Sequence, residues 1–277
     1  MADSLVGELP PLFGARVFRH DPEHWVHVVE SPKRLRVVFG GETVADSKRV
    51  LLLREARALP IYYFPPSDVR IDLLTPSGRR AACPYKGEAR YWSLKAGGRV
   101  AADAAWSYAE PSAECTELAG YFSFEWGKMD AWYEEDEEVF VHARDPFKRI
   151  DVLQSSRRVE VIAAGEKIAD TRRPVMLIEP GHPIRYYIPR EDVRFELLEP
   201  SATVTRCPYK GIASYWSVRA GDQLLKDGVW SYEQTTPECP KIKGLPCFFN
   251  ERVDAVYVDG ERLPRPVTKW SLGEKPK

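Results

Sequence analysis

Apolar and polar positions alternate over short stretches of this chain, and glycine or proline interrupts them repeatedly. Leu35, Val37 and Phe39 alternate with polar or smaller neighbours, and Gly40-Gly41 separates them from Glu42-Thr43-Val44-Ala45. Period-two alternation about paired glycines predicts a β-hairpin with a primed turn. The apolar runs 50–53 and 175–178 suit short buried strands. Tyr62-Tyr63-Phe64 predicts a strand ended by Pro65, followed by one helical turn over 67–69 with Ser67 as its N-cap. Residues 71–74 and 195–198 resume the strand period, and Pro76-Ser77 and Pro200-Ser201 are expected to stop it. Residues 88–94 predict a polar–aromatic strand turned by Gly97-Gly98, and 121–124 and 129–133 complete the series. No long amphipathic helix interrupts the pattern. The fold class is therefore all-β, with a small barrel or sandwich as the unit.

The pattern occurs twice. Cys83-Pro84-Tyr85-Lys86-Gly87 and Tyr91-Trp92-Ser93 return as Cys207-Pro208-Tyr209-Lys210-Gly211 and Tyr215-Trp216-Ser217, a shift of 124 residues. The same shift carries Trp106-Ser107-Tyr108 onto Trp230-Ser231-Tyr232. It also carries Arg49 onto Arg173, Glu55 onto Glu179 and Tyr62-Tyr63 onto Tyr186-Tyr187. An ungapped repeat of this length means two copies of one domain, each of about 120 residues and large enough for its own core. The expected division is 15–135 and 136–263, with a loose proline-containing tail over 264–277 and a loose lead-in over 1–16. The acidic run 134–138 reads as a solvated joint. Gly87 and Gly211 are expected to hold a positive φ or to admit a neighbouring backbone, and Pro84 and Pro208 to fix the turn.

Charge removes some classes of function. Forty basic and 41 acidic residues leave a formal net charge of −1, so no broad basic face for duplex nucleic acid is expected. No apolar run is long enough for a membrane span, and residues 1–16 lack the pattern of a secretory signal. The five cysteines include no C-x-x-C pair. Reduced, buried thiols in a cytoplasmic protein, without zinc or another metal, are the expectation. No P-loop or dinucleotide fingerprint occurs, so no cofactor is expected.

The polar residues kept by both copies are the candidates for chemistry. Arg49, Lys86, Arg173 and Lys210 would supply positive charge, and Tyr62, Tyr91, Trp92, Tyr186, Tyr215 and Trp216 the walls of one pocket per domain. Cations beside aromatic walls suit a small anion on a flat group, such as a nucleotide or aromatic acid. A bland reading stands beside this one, with local ion pairs at the surface and aromatics filling a small core. Glu55 with Lys86, and Glu179 with Lys210, could serve as acid and base if the fold brings them together. No histidine falls on another histidine under the shift, which excludes a catalytic histidine common to both copies.

These residues resemble the bacterial domain-of-unknown-function family 427. The resemblance rests on V-A-D-[ST] (Val44-Ala45-Asp46-Ser47, with Ile168-Ala169-Asp170-Thr171 in the second copy), Y-Y-[FI]-P, D-V-R, C-P-Y-K-G, Y-W-S and W-S-Y. It extends through Asp130-Ala-Trp-Tyr-Glu-Glu-Asp-Glu137 and from Arg144-Asp-Pro146 to Ser155-Ser156-Arg157, and covers nearly the whole chain twice. It implies the tandem form of the family and a compact fold of the β-tent type, although the paired zinc-binding cysteines of several β-tent families do not occur. The family is sometimes filed among nucleotidyltransferases, yet the G-[GS]…D-x-D carboxylates of those enzymes are missing. The leading expectation is thus a tandem β-domain protein that binds a small molecule, its two repeats packed as a pseudo-dimer. A nucleotidyl or other group transferase using the shared Glu and Lys is one alternative, and an interaction scaffold without catalysis another.

Overall fold

A computed structural model describes residues 15–271 of the chain. The remainder of the expected lead-in, 1–14, and the end of the expected tail, 272–277, lie outside the described residues. The chain divides into two compact units, Met1–Asp145 and Pro146–Lys277. Both are built of antiparallel strands and single 3-10 turns, so the fold is all-β.

In the first unit one sheet has the order Arg16–Phe18, Asp21–Glu30, Leu51–Glu55, Ile61–Tyr63, and a second runs Phe122–Phe124, Arg99–Pro111, Gly87–Ala96, Leu74–Cys83. A single bridge, Phe64 to Phe122, links the two. The hairpin Leu35–Phe39/Glu42–Ser47 forms a third sheet with Ala131–Glu134 and Glu137–Val139. Its turn has Gly40 and Gly41 at φ of 60° and 77°, as a primed turn requires. The second unit repeats this order without a counterpart of Arg16–Phe18 among the described residues. There Tyr187 pairs with Cys247, and Asp151–Gln154, Val175–Ile178, Arg185–Tyr187, Pro246–Phe248, Gln223–Thr235, Gly211–Ala220 and Leu198–Cys207 form one seven-stranded sheet.

Strand alternation assigns the interior. Leu51 and Leu53 join Phe18, Val26, Tyr63, Tyr108, Cys115 and Leu118 in one buried cluster, while Leu52 faces another containing Val37, Phe64, Leu94 and Trp132. Glu55, two residues beyond Leu53, falls on the first of these faces. Val175 and Leu177 set up Glu179 in the same way.

Four local expectations change. Residues 71–73 and 195–197 form 3-10 turns, and the strands begin only at Leu74 and Leu198. Pro76 and Pro200 do not end strands. Each lies within an edge strand, Leu74–Cys83 or Leu198–Cys207, beside a register shift. A proline lacks the N–H that a central strand would use, and an edge tolerates the loss. The 3-10 turn Pro66–Asp68 is capped by Pro65, and Ser67 lies inside it, bonding Asp68. The acidic run is solvated over 135–138, as expected, but it is the turn of a hairpin, and its first residue, Glu134, is buried, accepts bonds from the Tyr62 hydroxyl (2.7 Å) and Lys33 (2.5 Å), and is met by Arg144 at 3.1 Å.

The C-P-Y-K-G turns depend on their glycines. Gly211 has φ of 115°, and a Cβ there would lie 1.9 Å from the Gln234 carbonyl oxygen. Gly211→Ala should therefore destabilise the second unit by about 2–3 kcal/mol through backbone strain. Gly165→Ala, also at positive φ but facing open space, should cost only about 1 kcal/mol. Denaturant unfolding followed by tryptophan fluorescence compares the two, and equal losses would remove the close approach as the cause.

Candidate functional site

Lys86 immediately precedes the strand Gly87–Ala96, and its turn is tied down from beneath. The Ser112 hydroxyl donates to the Tyr85 carbonyl at 2.5 Å, and the Cys115 thiol approaches the same oxygen. Thr236 and Cys239 hold the Tyr209 carbonyl in the second unit at 2.7 and 3.5 Å. So fixed, the Lys86 ammonium reaches the buried Glu55 carboxylate and donates to Oε2. Lys210 donates to Oε2 of Glu179 in the same way. The fold thus brings together the Glu and Lys that the two copies share.

Each carboxylate has a second partner on Oε1. In the first unit it is His24, with Nε2 2.9 Å away. In the second it is Lys148, with Nζ 2.5 Å away. The shift of 124 residues superimposes His24 on Lys148. Both also meet the tyrosine of the turn. The His24 ring stacks on Tyr85 with centroids 3.5 Å apart and planes 3° apart, and the Lys148 ammonium lies 4.9 Å from the Tyr209 ring centroid. A search for identical residues misses this pair, whereas a search for shared capacity to carry positive charge finds it.

The charges are strongly coupled to burial. Burial would raise the Glu179 carboxyl, but Lys210 and Lys148 outweigh it and hold the group down at about 2. His182, with Nδ1 3.8 Å from Glu179, is lowered by burial and enters as a neutral ring at pH 7. Burial pushes the thiols of Cys115 and Cys239 up to about 11 and that of Cys247 to about 12, so these three are inert near neutrality. All five cysteines are free.

The other expected site residues stand elsewhere. Arg49 precedes the strand that Glu55 closes, roughly 20 Å away at about 3.3 Å per residue. It is exposed and bonds Ser67 and Asp68, each at 2.8 Å. Arg173 pairs with Glu191 and Asp192, and shares a shallow groove of about 560 Å³ with Arg158, Asp170, Thr171 and Arg172. Tyr62 and Tyr186 are buried. Trp92 packs edge-on to Phe122 at 5.0 Å, and Trp216 edge-on to Phe195 at 6.3 Å. Tyr91 lies on the opposite face from Trp92, under Arg79 at 4.3 Å, and the Tyr215 hydroxyl bonds Thr205 at 2.8 Å. The aromatics are thus divided between two faces and do not line one cavity with the lysines.

Fold and site together define a duplicated all-β protein, each copy holding beside its C-P-Y-K-G turn a buried glutamate that meets a lysine and a second basic side chain. The chain belongs to the family described as a domain of unknown function (DUF427), whose model matches residues 27–135 and again 151–259. No curated protein is similar to it at a significant level. Among the described residues no cluster of His, Cys, Asp or Glu is arranged to hold a metal ion, and no helix is long and apolar enough to cross a membrane.

Proposed function

We propose that each domain binds a small anion, a phosphate or carboxylate, at the ammonium groups around Glu55 and Glu179. The observation that carries this reading is the charge balance of the second centre. Two ammoniums, Lys210 and Lys148, converge on the single carboxylate of Glu179, and their side chains are only 14% and 24% exposed. Among the described residues neither lysine pairs with another carboxylate. One unit of positive charge is thereby left over in a largely dehydrated place, where an uncompensated ion is costly. An anion would neutralise it and accept charge-assisted hydrogen bonds.

The group-transfer alternative is weaker on the same geometry. Both oxygens of Glu55 and of Glu179 are already engaged by proton donors, so each carboxylate serves as a counter-ion and not as an open base. The test is a thermal-shift titration of the full chain with inorganic phosphate and small carboxylates. Wild type should be stabilised. Lys210→Met, which leaves Glu179 and Lys148 balanced, should lose about one to two decades of affinity in the second unit, the worth of one charge-assisted contact. Equal stabilisation of both proteins, or none of wild type, would overturn the reading.

A further inference from the structure

The two centres are wired alike, with one chemical difference. Oε2 of each glutamate takes the lysine of the C-P-Y-K-G turn, and Oε1 takes the residue at position 24 or 148. At 148 that residue is a lysine and at 24 a histidine. We propose, building on the anion-binding reading, that this position sets when each domain accepts its anion: the second domain at any ordinary pH, the first only when His24 is protonated.

The argument is one of charge. With His24 neutral, Glu55 and Lys86 cancel and the first centre has no positive charge left for an anion. A proton on His24 gives it the same excess of one that Lys148 gives the second centre permanently. Imidazole is the side chain that makes this change near physiological pH, whereas an ammonium paired with a carboxylate stays charged throughout.

The surroundings of His24 are compatible with such a change. From the strand Leu51–Glu55 it faces the carboxylate of Glu55, and from the turn it faces Lys86 and Tyr85. On its own strand Asp21 accepts from the Tyr85 hydroxyl at 2.7 Å. His20 stacks against Tyr85 at 5.4 Å, and the uncharged Phe18 stands edge-on to His24 at 5.6 Å. Cys115 contributes a thiol from the segment Ala113–Leu118, and Arg57 adds its charge beyond, where it pairs with Glu23. Of the three carboxylates near His24, Glu23 is taken by Arg57 and Asp21 accepts from the Tyr85 hydroxyl, so Glu55 with Lys86 is the ion pair that His24 touches directly.

The experiment is isothermal titration calorimetry of the full chain with sulfate, whose charge is constant between about pH 5.5 and about pH 8. Wild type should bind one sulfate per chain at the higher pH and two at the lower. His24→Lys should bind two at both, and Lys148→His should bind none at the higher pH and two at the lower. Thermal melts of each variant verify folding, and the wild-type stoichiometries test the proposal without any variant. No sulfate bound by wild type at either pH would defeat the anion-binding reading itself. Two sulfates at both pH values, or an unchanged site in Lys148→His, would leave that reading standing and overturn the assignment of position 24/148.

Discussion

Glu179→Gln should cost the second unit about 3–5 kcal/mol, because it removes the negative charge that both lysines pair with. Glu179 has 4% of its side chain exposed, so solvent screens the loss little. The pH dependence follows from the same pairing. The folded carboxyl titrates at about 2 against an ordinary 4.5. Its contribution is present above the ordinary value and is lost as the pH falls from there through about 2, at roughly 1.4 kcal/mol per unit of difference, or about 3 kcal/mol in all. Glu55→Gln strands one ammonium rather than two and should cost less. Replacing all three together, Glu179→Leu with Lys210→Met and Lys148→Met, should recover much of the stability. Denaturant curves of the four proteins at about pH 7 test this. A loss below about 1 kcal/mol in Glu179→Gln would show that the pair contributes little.

Arg185→Met should be as damaging. Arg185 and Glu251 form a bidentate pair with both contacts at 2.7 Å, and their side chains are 8% and 0% exposed. Burial would lower the guanidinium, but Glu251 more than restores it and raises it above its ordinary value. Its carbon lies 5.4, 5.7 and 5.6 Å from the ring centroids of Trp230, Phe249 and Trp270, and Thr268 donates to Glu251 at 2.7 Å. Removing the guanidinium leaves a buried carboxylate unpaired, at a cost of about 3–5 kcal/mol. Arg185→Lys, which loses the fork but keeps the charge, should cost about 1–2 kcal/mol. The fluorescence of Trp270 should change with Arg185→Met, because its cationic neighbour is gone. Unfolding within 1 kcal/mol of wild type, with Trp270 unmoved, would be incompatible with this assignment.

Much of the fold was legible because β structure writes itself locally. The alternation of Leu35, Val37 and Phe39 about Gly40-Gly41 needs only neighbours to be read, and the duplication repeats the message. Pro76 and Pro200 misled because their effect depends on which strand lies at the edge of the sheet, a non-local fact. The site was half legible. Glu55 and Lys86 were visible as twins, but their contact spans 31 residues and depends on how two sheet segments meet. His24 and Lys148 stayed hidden because the copies share a charge capacity there and not a residue. Arg49 and Arg173 were drawn in by identity alone, although the turn they brace, through Asp68 and Asp192, explains why both copies keep them.

The prolines in the two edge strands bear on how the protein behaves in a crowd. An open sheet edge presents unpaired N–H and C=O groups that can recruit a strand from another molecule and start a fibre. In Leu74–Cys83 and Leu198–Cys207 the proline removes a donor and the neighbouring register shift bends the ladder. Arg79 and Arg80 add charge to the first of these edges. Neither edge is a good template for a further strand, so a chain that carries the same sheet twice does not thereby double its tendency to polymerise.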